Sequence, residues 1–350
     1  CEIIDSLKLI NTTMDKIISS GYEKSAKYTP KAWGGVYKMS DANIVSKHEY
    51  KGNLFNTLLA SKLKKLLKER KPDLIIGTHP FPMIALSTLK KKYPYRNAFN
   101  SFFVPPLISV LTDYTAHSTY IQDEIDYYIA GDEYVKEVLI SEGVDGDKIK
   151  PYGIPVEKSF LEHREKSVVL EELGLAPDKF TVLLMGGSFG AGNIKDTLKE
   201  LLEIDRDFQI IVITGRNETL KEKLEKSLEK HDIDKNISIL GFTQDMNDIL
   251  SAVDIIVSKP GGLTTTECLL KELPMIIPYY IPGQEEENMD FLSNCGAALR
   301  TSKKFTISVL LKVLIDNPMR MELLKNNIKS VKKQNTAEDI ANLVSNILGY

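Results

Sequence analysis

Short apolar runs recur along the chain, and each ends in glycine or polar residues. Asp73-Leu74-Ile75-Ile76-Gly77, Leu107 to Leu111 and Tyr127-Tyr128-Ile129-Ala130 form a first set. Phe180 to Met185, Gln209 to Thr214, Ile237 to Leu240, Val253 to Val257 and Met275 to Pro278 form a second. Runs this short and this continuously apolar predict buried parallel strands, because a strand covered on both faces has no polar side to alternate with. Between them lie amphipathic stretches that predict helices. One runs over 54–70 and is ended by Lys71-Pro72, another covers 157–173, and closing helices cover 305–315, 319–333 and 336–348. Residues 1–50 read as helix with loops: Ile3, Ile4, Leu7 and Ile10 fall at helical spacing, and Trp33-Gly34-Gly35 interrupts it. Repeated strand–helix units demand a parallel sheet with helices on both faces. The α/β pattern restarts after Pro151-Tyr152-Gly153-Ile154-Pro155, which predicts domains over 1–154 and 155–334, with a C-terminal helix at 335–350 packing back towards the first.

In open parallel sheets ligands sit at the C-terminal ends of the strands. Two glycine-rich turns occupy that position in the second half. Val257 leads into Ser258-Lys259-Pro260-Gly261-Gly262-Leu263-Thr264-Thr265-Thr266-Glu267, and Met185 leads into Gly186-Gly187-Ser188-Phe189-Gly190-Ala191-Gly192. A helix start offers unpaired N–H groups and the positive end of the helix dipole, and glycines allow close approach to the main chain. The pair of turns therefore predicts a diphosphate grip. A second reading of the first turn is purely structural, since Thr264 and Glu267 also have capping-box spacing. The second turn departs from the dinucleotide fingerprint, and no suitably placed acid follows it. In the first half, His79 follows one strand, and Asp113 and His117 follow the next, so one edge carries three groups able to move a proton. The alternative for each is a loop residue that ties down backbone.

Composition narrows the setting. With 350 residues, 43% of them hydrophobic, the chain can build two cores, and a net charge of −3 predicts no nucleic-acid partner. Cys1, Cys268 and Cys295 are too scattered for a disulfide framework or a zinc site and fit reduced thiols. No apolar run approaches the ~20 residues of a membrane span. The predicted helix over 54–70 is rich in Lys62, Lys64, Lys65, Lys68 and Arg70, a pattern that fits either a solvated face or an anionic membrane surface, with Trp33 and Phe102-Phe103 as insertion points. The acidic pairs Asp205/Asp207 and Asp145/Asp147 lie away from the glycine turns, so no metal is expected.

The 258–267 motif, with Pro282-Gly283-Gln284-Glu285 and Asn288, resembles the donor half of monogalactosyldiacylglycerol synthases and processive diacylglycerol glucosyltransferases. Thr112-Asp113-Tyr114 with His117, Gly131-Asp132-Glu133-Tyr134-Val135 and Gly153-Ile154-Pro155-Val156 fit the same family, so the resemblance covers nearly the whole chain. It implies the GT-B fold, two Rossmann-like domains facing a central cleft. It also implies an inverting transfer of glucose or galactose from a UDP-sugar to diacylglycerol, with no cofactor beyond the co-substrate. By this resemblance Ser188 and Thr264 contact the diphosphate, Phe242 edges the uracil and Glu267 accepts from the ribose hydroxyls. Gln284, Glu285 and Asn288 read the hexose, Arg216 offsets phosphate charge, and Gly187, Gly262, Leu263 and Thr265 complete the donor-binding set. Family members begin with a strand and a glycine-rich loop carrying a histidine that helps activate the acceptor. This chain starts after that point, so its first domain is expected to lack that strand, loop and base. The implied location is cytoplasmic, peripheral to the inner face of the cell membrane. Rival readings are a polyprenyl-linked acceptor, a UDP-sugar epimerase and a non-catalytic UDP-sugar-binding protein.

Overall fold

Among the described residues of the computed structural model every strand pairing is parallel, and the strands fall into two sheets. The structure describes residues 1–9, 35, 54–95, 102–186, 193–229 and 233–350. The chain divides into two compact units, one made of Cys1–Pro155 with Asn335–Tyr350 and the other of Val156–Gln334.

The first unit holds β1 (Ile75–Gly77), β2 (Leu107–Val110), β3 (Tyr127–Ile129) and β4 (Ile149–Lys150), in that spatial order. Side chains alternate across the sheet. Ile108, Val110 and Ile129 pack on Ile340 and Leu343 of the C-terminal helix, Thr336–Leu348, and Thr336 Oγ1 donates to Tyr152 O at 2.7 Å. Gly77, paired with Ser109, faces the opposite layer. There the Pro80–Lys92 helix buries Met83, Ile84, Ala85, Leu86 and Leu89. A Cβ on Gly77 would lie 2.1 Å from Met83 Sδ, so only glycine lets that helix sit so close. The Leu54–Arg70 helix packs outside it through Leu59, Leu63 and Leu67, one helical turn apart.

The second unit builds β5 (Thr181–Met185), β6 (Gln209–Ile213), β7 (Ile237–Leu240), β8 (Ile255–Val257), β9 (Met275–Ile277) and β10 (Ala298–Arg300) into the order β10-β9-β8-β5-β6-β7. The chain starts at β5, fills outward to β7, then crosses back to β8 on the other side of β5. Strand order therefore reverses between β5 and β8, and in open parallel sheets such a switch point is where ligands bind. Val182, Leu184, Ile210, Val212, Ile255, Val257 and Ile276 form the core of one face beneath Ile194, Leu198 and Leu201 of the Ile194–Leu202 helix and Ile307, Leu311 and Leu314 of the Ile307–Asp316 helix.

Several expectations change. Residues 157–173 are not one helix but a 3-10 turn, Lys158–Leu161, and a helix, Lys166–Glu172. The intervening backbone is held out of the helix, with Lys271 Nζ donating to Glu162 O and Arg164 bonding both Glu172 and Asp248. The loop expected at 281–288 becomes helix from Gln284 to Asn294, after Gly283 turns the chain at φ 109°. Residues 6–9 form a turn in place of the expected helix, with Asp5 Oδ1 accepting from Leu7 N at 3.1 Å. Trp33 lies outside the described residues. Phe102 is buried edge-on to Tyr93, with ring centroids 5.1 Å apart, so it serves the core and not membrane insertion.

Candidate functional site

Leaving β8, the chain passes through Ser258, Lys259 and Pro260 before the Gly262–Leu270 helix begins. The residue at the N-cap is Gly261, at φ −69° and ψ 145°, and no side chain caps the helix. Thr264 is thus the third helical residue and Glu267 the sixth, so the capping box that their spacing allowed is not formed. The helix's hydrogen bonding begins with Thr265 N–H donating to Gly261 O at 2.8 Å. The N–H groups of Gly262, Leu263 and Thr264 precede it and have no acceptor within the helix. A Cβ placed on Gly261 would meet no heavy atom of the described residues within 4 Å, so among them the space beside this glycine is open. An uncapped helix start beneath open space favours an anion on both hydrogen-bonding and dipole grounds.

The three threonines differ. Thr264 is half-buried beside the open amides, whereas Thr265 is wholly buried and Thr266 returns its hydroxyl to Gly262 O at 2.8 Å. Only Thr264 is therefore presented at the turn. Ser258 and Thr265 each keep a buried hydroxyl without a hydrogen-bond partner among the described residues. Gly187 and Ser188, on the turn after β5, lie outside the described residues.

Glu267 follows Leu263 and Thr264 by four and three residues, so it shares their helical face. Its carboxyl has no hydrogen bond or ion pair among the described residues. Burial raises its carboxyl from the ordinary 4.5 to about 7. A half-buried, unpaired carboxyl one helical turn from the open amides is suited, when ionised, to accept hydrogen bonds from a ligand's hydroxyls.

Flanking strands extend the edge in both directions. After β6, Gly215 (φ 60°) turns the chain, and the exposed Arg216 guanidinium lies 5.2 Å from the ring centroid of exposed Phe242, which follows β7. In this arrangement the Arg216 guanidinium lies next to the Phe242 ring at this edge of the sheet. After β9, Gln284 is half-buried, while Glu285 and Asn288 are buried and engaged. Asn288 Nδ2 donates to Pro260 O at 3.0 Å, Ile281 N–H donates to Glu285 Oε2 at 2.8 Å, and Lys259 pairs with Glu285 Oε1. Asn288 thus braces the 258–262 turn. Lys259 is the residue that sequence reasoning passed over, since a contact across 26 positions leaves no local signal.

In the first unit, His79 and His117 serve their own loops. Phe81 N–H donates to His79 Nδ1 at 3.3 Å, which makes His79 the cap of the Pro80–Lys92 helix. Neighbouring side chains desolvate that ring and hold its pKa below the ordinary imidazole value, although the residue's edge is open to solvent. Buried His117 accepts from Thr119 N–H at 3.1 Å and lies 2.8 Å from Thr119 Oγ1. Asp113 is half-buried after β2. Its charge reaches the Tyr120 phenol, which is raised to about 12 chiefly by burial.

Comparison with known proteins places this geometry. Residues 1–156 match the family Monogalactosyldiacylglycerol (MGDG) synthase, and residues 181–344 match the Glycosyltransferase family 28 C-terminal domain. A relative from Bacillus licheniformis named processive diacylglycerol beta-glucosyltransferase is 32% identical over 291 residues, covering 83% of this chain and 73% of the relative. The crystal structure of MurG from Acinetobacter baumannii superposes with a TM-score of 0.61 at 16% identity, covering 82% of this chain and 77% of that one. Alr3699/HepE from Anabaena, in complex with UDP-glucose, gives 0.53 at 14% identity, covering 82% of each chain. These likenesses establish a GT-B fold. The chain belongs to the glycosyltransferase family of the monogalactosyldiacylglycerol synthases and processive diacylglycerol beta-glucosyltransferases.

Proposed function

We propose that this chain transfers a hexose from a UDP-sugar to diacylglycerol by direct, inverting displacement. The observation that carries the donor half is the order of features along the sheet edge. Glu285 follows β9, the open helix start and Glu267 follow β8, and Arg216 and Phe242 follow β6 and β7. At about 4.8 Å per strand the edge from β9 to β7 spans roughly 19 Å, which suits an extended ligand with a sugar at one end and a base at the other. The Gly262–Thr264 amides hold the diphosphate as charge develops on the leaving group, Glu267 takes the ribose diol, and Phe242 edges the uracil. The relative's name supports glucose over galactose as the hexose.

The acceptor is activated by a base in the first unit. With both imidazoles committed to their loops, Asp113 is the stronger candidate to accept the glycerol hydroxyl proton. Diphosphate charge is met by amides and dipole, so the reaction proceeds without a metal, and full activity is expected with EDTA present. The exposed Lys62, Lys65 and Lys68 of the Leu54–Arg70 helix support docking on an anionic bilayer. Lys64 contributes less, since it bonds Tyr93 OH at 2.6 Å. Among the described residues no helix is long and apolar enough to cross a membrane.

The test is transfer of radiolabel from UDP-glucose, with UDP-galactose as comparator, into an organic-extractable product on diacylglycerol vesicles. Label entering the lipid phase supports the reading. Lipid-independent release of free sugar would support an epimerase, and incorporation only with a polyprenyl acceptor would move the acceptor assignment.

A further inference from the structure

Lys259 is the second residue of the turn between β8 and the Gly262–Leu270 helix, where a lysine would be expected to reach a phosphate or solvent. It does neither. Its side chain is 19% exposed and pairs with Glu285 Oε1, on a side chain only 9% exposed. Among the described residues the Lys259 ammonium has no other partner. Glu285 is the second residue of the Gln284–Asn294 helix, which starts at Gly283 without a side-chain cap. Its other oxygen takes the Ile281 N–H at 2.8 Å, and one turn on Asn288 donates to Pro260 O at 3.0 Å. The 258–262 turn and the start of the next helix are therefore fastened together at two points.

An ion pair this buried is a poor device for stability alone. Desolvating both charges offsets most of their attraction, and an apolar pair of similar volume would pack as well. What a lysine adds is a fixed, charged acceptor on the other side. A carboxylate offers about four acceptor positions, and the ammonium and the Ile281 amide use two of them. The remaining positions, held still by those two contacts, suit hydroxyl donors, and a charged acceptor makes such bonds stronger.

We propose that Lys259 is a positioning residue for the donor hexose, fixing the Glu285 carboxylate so that its remaining acceptor positions take sugar hydroxyls. The inference rests on the donor-site reading above. It makes Lys259 act on the sugar through Glu285 and not on the diphosphate, although Lys259 lies in the diphosphate turn. Sugar recognition is thereby tied to the same turn that holds the leaving group.

Calorimetric titration of UDP and of UDP-glucose into the full chain tests it, using Lys259→Met, Lys259→Arg, Glu285→Gln and the Lys259→Met/Glu285→Gln double variant. Lys259→Met should leave UDP affinity within about twofold and weaken UDP-glucose about tenfold, with Lys259→Arg recovering most of the loss. In the Glu285→Gln background, Lys259→Met should add almost nothing, because the two side chains act as one unit. Unchanged UDP affinity also shows that each variant is folded. Equal weakening of UDP and UDP-glucose would make Lys259 a direct phosphate cation and overturn the inference. So would UDP-glucose affinity unaltered by Lys259→Met, or a full additional loss in the double variant. A wild-type chain that binds neither ligand would overturn the donor-site reading, and this inference with it.

Discussion

In the first unit, the helices that follow the strand ends are closed by their own loops. His79 caps Pro80–Lys92, Asp132 caps Glu133–Ser141 by accepting from Tyr134 N–H at 2.9 Å, and His117 is spent on Thr119. In the second unit, the helices after β5, β8 and β9 start at Asn193, Gly261 and Gly283 without a side-chain cap. The helix after β6 is capped by Asn217, which accepts from Leu220 N–H at 3.1 Å. The short Met246–Ala252 helix after β7 is also uncapped. Open helix starts thus flank the point where strand order reverses. Towards the edges of the second sheet Asn217 and Thr306 still cap their helices, so the contrast lies in the helix starts flanking the reversal, which leave donors unspent where the first sheet's loops spend theirs. The lesson is that residue type at a strand end is a weaker guide to a ligand than whether the next helix has already satisfied its own amides.

The sharpest way to break this contrast is to close the open helix. Gly261→Asp puts an ordinary N-cap at a backbone angle that suits it, into space that is empty. It should raise stability by about 1 kcal/mol, as a new cap does. The same carboxylate occupies the anion position, so UDP-glucose affinity should fall about 100-fold, roughly 2.7 kcal/mol. Thermal unfolding and calorimetry read the two effects separately. A stabilised variant that binds UDP-glucose normally would detach the open amides from the donor.

Next in size is Glu267→Gln, expected to weaken UDP-glucose by about 1–3 kcal/mol through lost charge-assisted hydrogen bonds. Its pH signature is more specific than its size. In the fold the carboxyl titrates near 7 against an ordinary 4.5, so the native state holds the extra proton between those values. Its contribution to stability is therefore full below about 4.5 and is lost as pH rises through about 7. Binding that requires the ionised form has the opposite slope, and UDP-glucose affinity should rise between about pH 6 and pH 8. UDP-glucose is the better probe, because its diphosphate has no monoester proton to titrate in that range. A profile in Glu267→Gln as steep as the wild type's would assign the titration elsewhere.

The smallest expected effect comes from the closed side. His79→Ala removes a cap and should cost about 1 kcal/mol of stability, without changing UDP-glucose affinity. If transfer to diacylglycerol instead collapses while stability holds, His79 belongs to the chemistry and the first sheet's edge is not closed after all.

Much of this fold was legible because the central strands are continuous apolar runs; Gln209–Ile213 and Thr181–Met185 are buried along their whole length. The short strands Ile149–Lys150 and Ala298–Arg300 were not, since two or three residues ending in a cation give no run to read. Pro80 and Pro82 disguised a helix start that proline tolerates, and the Gln284–Asn294 helix was hidden by three glutamates that suit its first turn. At the site, the motif from Ser258 to Glu267 stood out, but its spacing fitted both a capping box and an anion grip. Only the position of the helix start at Gly261 separates the two. The pairing of Lys259 with Glu285 and the burial of Phe102 against Tyr93 depend on chain segments that meet only after folding, so neither could be read locally.

The central claim is that the Gly262, Leu263 and Thr264 amides hold the donor's diphosphate. Its most direct test is a titration of isotope-labelled protein with UDP, following backbone amides by relaxation-optimised NMR. Those three amides are predicted to shift most and to saturate together with the calorimetric binding curve. Saturation with UDP while all three stay in place would contradict the account.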